Sequence, residues 1–136
     1  MLRHLRARTP FLFGIALVLG GIFASGHWGL YQIPWYDKLM HVLGGIIAAW
    51  FGLALLQDEI THMRAWKQTL IIVSVALSIG VIWEWAEYAS TLTRDATPWL
   101  YRWFHGGNLQ DTLGDLIADT AGALALTAWA LFKERS

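Results

Sequence analysis

Near the C-terminus, the stretch GGNLQDTLGDLIADTAGALALTAWALF carries Asp111, Asp115 and Asp119 at four-residue spacing, in a run otherwise apolar enough for lipid. On a helix that spacing stacks the three carboxylates along one side, and Gly122 extends the same side. Carboxylates turned toward hydrocarbon are costly, so the strip has to face protein, water or a cation. Two other stretches offer matching groups. YDKLMHVLGG sets Asp37 and His41 one turn apart, followed by Gly44, Gly45, Ala48 and Gly52 on broadly the same side. GVIWEWAEY sets Glu84 and Glu87 three apart, with Gly80 one turn before Glu84. Carboxylate oxygens with one imidazole suit Mg²⁺, Mn²⁺ or Zn²⁺, and a metal so held lowers the pKa of bound water. On this reading His41, Glu84 and Asp115 are the central ligands, Asp37 and Asp119 are further ones, and Glu87 or Asp111 is the base.

Each residue also has a plainer use. Asp37 and Asp111 can cap helix N-termini, Asp37 can pair with Lys38 or Arg102, and His41 can be a hydrogen-bonded packing residue. Glu84 and Glu87 can mark a helix end that reaches interfacial water. Asp119 has the weakest plain reading, because it falls well inside an apolar run.

These residues need elements to hold them. The chain has 136 residues, of which 56% are hydrophobic and 15% charged, and its mean hydropathy of +0.43 places it with membrane proteins. Four segments, about 11–30, 37–56, 69–88 and 111–132, are long enough to cross a hydrocarbon layer roughly 30 Å thick. The expected architecture is all-α: one domain over residues 1–136, an integral bundle of four transmembrane helices. The first segment has the basic head and apolar run of a signal peptide, but with three more spans behind it an uncleaved helix is the expectation. Pro34 is expected to stop the element before span two. The loop after span three contains TPWLYRWFHGGN, in which Trp99, Leu100, Trp103 and Phe104 suit a short interfacial helix ended by Gly106 and Gly107.

There is no cysteine, which excludes disulfides, thiolate metal sites and thioether haem attachment, and the zero formal net charge gives no reason to expect nucleic acid. No P-loop, dinucleotide fingerprint, nucleophile elbow or His-Glu-x-x-His pattern occurs. Arg3, Arg6, Arg8, Arg64, Lys67, Lys133 and Arg135 fall on one side of the expected spans, against Lys38, Arg94 and Arg102 on the other. That bias predicts a multi-pass protein with both termini in the cytoplasm. Trp28, Trp35, Trp83, Trp85, Trp66 and Trp129 fall near span ends and read as an interfacial belt. His41, Glu84 and Asp115 then each lie about 6 Å inside the outer end of their helix, which predicts one layer of ionisable groups from three spans.

The motifs YDKLMHVLGG, GVIWEWAEY and GGNLQDTLGDLIADTAGA, in that order over residues 36–123, resemble the YjdF-like small bacterial inner-membrane proteins and, more loosely, the VanZ-like proteins. The resemblance implies a helical protein of the bacterial inner membrane, with Asp37, Lys38, His41, Glu84, Glu87, Asp111, Thr112, Asp115 and Gly122 at the matching positions. Its VanZ-like part implies a role at the cell envelope. The expected function is a metal-dependent hydrolase or transferase acting on a lipid-linked or envelope substrate from the outer side. Two rivals stay open: a proton- or cation-coupled solute transporter, which would need a homo-oligomer to complete its path, and a non-catalytic assembly or immunity factor whose acids are paired internally.

Overall fold

The computed structural model describes residues 2–33, 35–98, 101 and 107–133. Four long helices carry nearly all of them: α1 (Leu2–Trp28), α2 (Tyr36–Ile60), α3 (Ala65–Leu92) and α4 (Leu109–Lys133). Each is long and apolar enough to cross a membrane. The four expected spans are therefore present, and their helices run past the expected limits at most ends. Hydropathy marks where hydrocarbon begins and ends, whereas helical hydrogen bonding continues into the interface until something stops it.

At the end of α1 the stop is Gly29. Its N–H still bonds the Ser25 carbonyl at 2.8 Å, but its φ of 64° is left-handed, a region open to glycine at little cost. A single 3-10 turn, Leu30–Gln32, then leads toward α2. Pro34 and the expected interfacial helix over 99–106, apart from Tyr101, lie outside the described residues. Neither aspartate proposed as a cap serves as one. Trp35 precedes α2 and makes no side-chain cap, so Asp37 sits inside the first turn. At α4 the cap is Asn108, whose Oδ1 accepts from the N–H groups of Gln110 (2.9 Å) and Asp111 (3.1 Å). Asp37 and Asp111 are thereby left available for tertiary contacts.

Successive helices run antiparallel, so α2 and α4 begin at the same end of the bundle, where α1 and α3 finish. We call this the site end. α2 is central: it packs on α1, α3 and α4, and α3 also packs on α4. Among the described residues, and apart from the 3-10 turn, α1 touches α2 alone.

The α2–α4 contact is set by glycine. A Cβ on Gly45 would land on the Asp119 carbonyl, and a Cβ on Gly122 would land on the carbonyl of Val42. Each helix thus presses a glycine against the other's backbone, as small residues allow between membrane helices. Toward the opposite end the gap is filled by a cluster of Ala48, Ala49, Ile60, Ile72, Ala76 and Ala123. Phe11, Leu19, Phe23, Leu70, Ile82, Ile117 and Phe132 are exposed around the outside. In water such a surface would be an aggregation hazard, and in a bilayer it is the expected one. Trp66 and Trp129 are exposed, with the Lys67 and Lys133 ammonium groups 5.5 and 5.3 Å from their ring centres, as the belt reading expects near helix ends.

The expected outcome for Gly45→Ala or Gly122→Ala is a loss of about 1–3 kcal/mol from overpacking. At Gly20, where an added Cβ meets nothing within 4 Å, alanine should be neutral or stabilising by about 0.5–1 kcal/mol. Unfolding of the purified protein in detergent measures both, and equal effects at the two kinds of site would refute the close α2–α4 contact.

Candidate functional site

The first turns of α2 and α4 and the last turns of α3 meet at the site end. Lys38 and His41 come from α2, and the acids surround them. The Lys38 ammonium donates to Asp111 Oδ1 and to Asp115 Oδ1, both at 2.6 Å, and lies 3.4 Å from Asp37 Oδ2. Its stem passes over Gly114, where a Cβ would meet Lys38 Cε at 3.3 Å.

His41 sits one turn deeper and is buried. Its Nε2 is 3.7 Å from Asp115 Oδ1, 3.9 Å from Glu84 Oε1 and 4.0 Å from Asp37 Oδ1. Its Nδ1 lies 3.4 Å from both oxygens of Asp119. Asp119 fits beside α3 because position 80 is glycine, where a Cβ would meet the Asp119 carboxyl carbon at 3.2 Å. The glycines of α2, α3 and α4 therefore do two things: they let the helices approach, and they leave room for the deepest carboxylate.

His41, Glu84 and Asp115, expected in one layer from three helices, are thus immediate neighbours. Asp37 and Asp119 join them directly, and Asp111 joins through Lys38. Glu87 is set apart: it is buried, and its Oε1 accepts from the indole N–H of Trp83 at 2.7 Å. Trp83 accordingly serves a carboxylate in addition to any role at the interface. Asp115 is 1% exposed and Glu84 7%. Glu84 Oε1 is buried with no hydrogen-bond partner among the described residues.

The residue that sequence reasoning underrated is Lys38. Expected as an outer-side charge and a candidate partner for Asp37, it stands among Asp37, Asp111 and Asp115. The signal was present: at 3.6 residues per turn residue 41 falls between residues 37 and 38, so all three share one broad side, and the long stem of Lys38 reaches a neighbouring helix.

Six carboxyl groups, Asp37, Glu84, Glu87, Asp111, Asp115 and Asp119, share this space with Lys38 and His41. Lys38 and, when protonated, His41 are the cationic groups among the described residues here, and six ionised acids beside them carry a surplus of negative charge. One ligand atom each from Asp37, His41 and Asp115 lie within 4.8 Å of one another. Donors to one metal at about 2.1 Å stand no more than ~4.2 Å apart, so a small contraction would make this group a tridentate set.

The family described as "Predicted membrane protein (DUF2238)" matches residues 1–136, the whole chain. The chain belongs to the DUF2238 family. No curated protein and no solved structure matches it. Membership in DUF2238 is consistent with the YjdF-like resemblance of the three motifs. It makes the protein a membrane protein, in keeping with four spanning helices and a lipid-facing apolar surface.

Lys38→Met should destabilise this DUF2238 protein by about 2–4 kcal/mol, because it leaves the buried Asp115 carboxylate without its ammonium partner. Adding Asp115→Asn should restore much of the loss. A double-mutant cycle from unfolding in detergent gives the coupling, and additive losses would contradict the ion pair.

Proposed function

We propose that this protein holds one divalent cation, Mg²⁺, Mn²⁺ or Zn²⁺, between Asp37, His41 and Asp115, with Glu84 completing the set and Asp119 fixing the imidazole. The observation that carries the proposal is Glu84 Oε1: a buried carboxylate oxygen with no hydrogen-bond partner among the described residues, 3.9 Å from an imidazole nitrogen. A polar atom left so in a low-dielectric interior is costly unless something is meant to meet it. Asp119, at 3.4 Å from Nδ1, is the outer partner that such a histidine uses to present Nε2 to a metal.

The cation would polarise a phosphate or carbonyl oxygen and activate water, making the protein a hydrolase or transferase for a lipid-linked or envelope substrate. Asp111, joined to Asp115 through Lys38, is the better placed of the two bases, with Glu87 behind Glu84 as the second. The basic bias of the loops supports cytoplasmic termini and a site that opens on the outer face of a bacterial inner membrane. The VanZ-like likeness is in keeping with work at the envelope.

One observation favours the second reading, a purely structural network: Lys38 already bridges Asp111 and Asp115 at 2.6 Å. The transporter reading draws less support, since the alanine-rich cluster and Ile72 lie between Asp119 and the far end of the bundle.

Lys38 separates the first two. It shares Asp115 Oδ1 with the cation, so Lys38→Met should tighten metal binding by about tenfold or more as a competing charge is lost. His41→Ala, Glu84→Gln and Asp115→Asn should weaken or abolish it. Titration of purified protein with Mg²⁺, Mn²⁺ and Zn²⁺, with elemental analysis, reads both effects. If neither the parent nor Lys38→Met binds any of the three, the acids are structural and the metal reading fails.

A further inference from the structure

Two of the acids beside His41 also face Lys38. Asp115 Oδ1 is 3.7 Å from His41 Nε2 and 2.6 Å from the Lys38 ammonium, so a single oxygen serves both positions. Asp37 divides its pair, with Oδ1 4.0 Å from Nε2 and Oδ2 3.4 Å from the ammonium. The other donors are separate. Glu84 Oε1 lies beside His41, and Asp111 Oδ1 lies beside Lys38. Shared carboxylates between two sets of private donors are the means by which proteins hold two metal ions side by side, about 3.5–4 Å apart.

In this chain one of the two positions is already filled by a cation of its own. The ammonium nitrogen has Asp111 Oδ1 and Asp115 Oδ1 at 2.6 Å, Asp37 Oδ2 at 3.4 Å and the Asp111 carbonyl oxygen at 3.5 Å. Among the described residues these partners are all oxygens, the donor set that suits a hard cation such as Mg²⁺ or Mn²⁺. The backbone of α4 makes room for the lysine there. A Cβ on Gly114 would stand 3.3 Å from Lys38 Cε and 3.6 Å from the nitrogen itself, so any side chain at that position would crowd the path of the stem. On the His41 side, by contrast, Glu84 Oε1 is buried and has no hydrogen-bond partner among the described residues. One half of the paired arrangement thus has its charge supplied from within, and the other half has a donor still to be met.

We infer that Lys38 is the built-in second cation of a carboxylate-bridged pair, and that it limits the centre to one metal ion. This rests on the cation reading above and adds to it the number of ions and the work each position does. An ammonium neutralises Asp111 and Asp115 by donating hydrogen bonds, but it offers no coordination position to a water oxygen. Water activation is therefore confined to the ion beside His41, and the centre has a single source of hydroxide. The covalent cation also cannot dissociate. α2 and α4 stay joined through Lys38 when metal is scarce, which a centre built on two free ions would not achieve.

The test uses the full chain in detergent with Mn²⁺ as the probe, because the electron spin of Mn²⁺ reports whether a second ion is adjacent. The parent protein should bind one Mn²⁺ by titration and elemental analysis, with the paramagnetic resonance spectrum of an isolated ion. Lys38→Met and Lys38→Gln should bind two, and the second should convert the spectrum to that of an exchange-coupled pair. Lys38→Arg, which keeps the charge, should bind one. Asp111→Asn added to Lys38→Met should weaken the second ion by about tenfold or more and spare the first, since Asp111 serves the Lys38 position alone. Where a neutral variant does not hold its fold without metal, the same counts are made on protein purified in Mn²⁺, because an ion that takes the place of the ammonium restores stability. If parent and neutral variants all bind one ion, Lys38 does not stand in a metal position, and the proposal fails while the cation reading stands. Two ions in the parent, or a second ion in the variants without exchange coupling, also overturn it. No Mn²⁺ or Zn²⁺ in any of these proteins removes the cation reading and this proposal with it.

Discussion

The whole arrangement depends on how closely α2 and α4 approach. Gly45 faces the Asp119 carbonyl and Gly122 faces the carbonyl of Val42, so the two backbones meet with no side chain between them. Only at that separation does the Lys38 ammonium come within 2.6 Å of both Asp111 and Asp115, and His41 Nδ1 within 3.4 Å of Asp119. Between membrane helices there is no hydrophobic drive for association, since lipid is as apolar as leucine. Packing and polar contacts have to supply it, and here they are linked: the glycines permit the approach and the ion pairs reward it.

The same closeness concentrates negative charge. Carboxylates that would repel across a wider gap are brought around one imidazole and one ammonium, in surroundings where Asp115 is almost wholly buried. A low dielectric magnifies attraction and repulsion alike. The cluster is thus more than a set of caps and less than a balanced salt-bridge network. The Glu84 oxygen, unpartnered among the described residues, is where that imbalance is most local.

Much of this was legible from residue types and spacing. The four-residue spacing of Asp111, Asp115 and Asp119 placed them on one helix side, and counting from the span ends placed His41, Glu84 and Asp115 at one depth. Depth follows from helix rise, which every residue obeys. Side-chain partners do not follow in that way. Lys38 is legible only as an outer-side charge and a partner for Asp37, whereas its long stem carries its charge across to α4. Asp37 and Asp111 suited the cap preference by type, but Asn108 lies one residue before the start of α4 and takes that place. Glu87 matched the site by spacing, yet its bond to Trp83 draws it aside, a choice between two neighbours that a linear pattern does not contain.

The order of the helices has a consequence for how the protein is made. α2 enters the bilayer carrying Lys38 and His41, but the aspartates that hold them come from α4, which the ribosome delivers last. Until then those groups have only Asp37 on their own helix and the glutamates of α3. The groove around Gly45 also stands open. Insertion of the final helix is therefore the step that neutralises and closes the centre, and a chain stalled before it would expose in lipid the polar groups that quality-control proteases are suited to find.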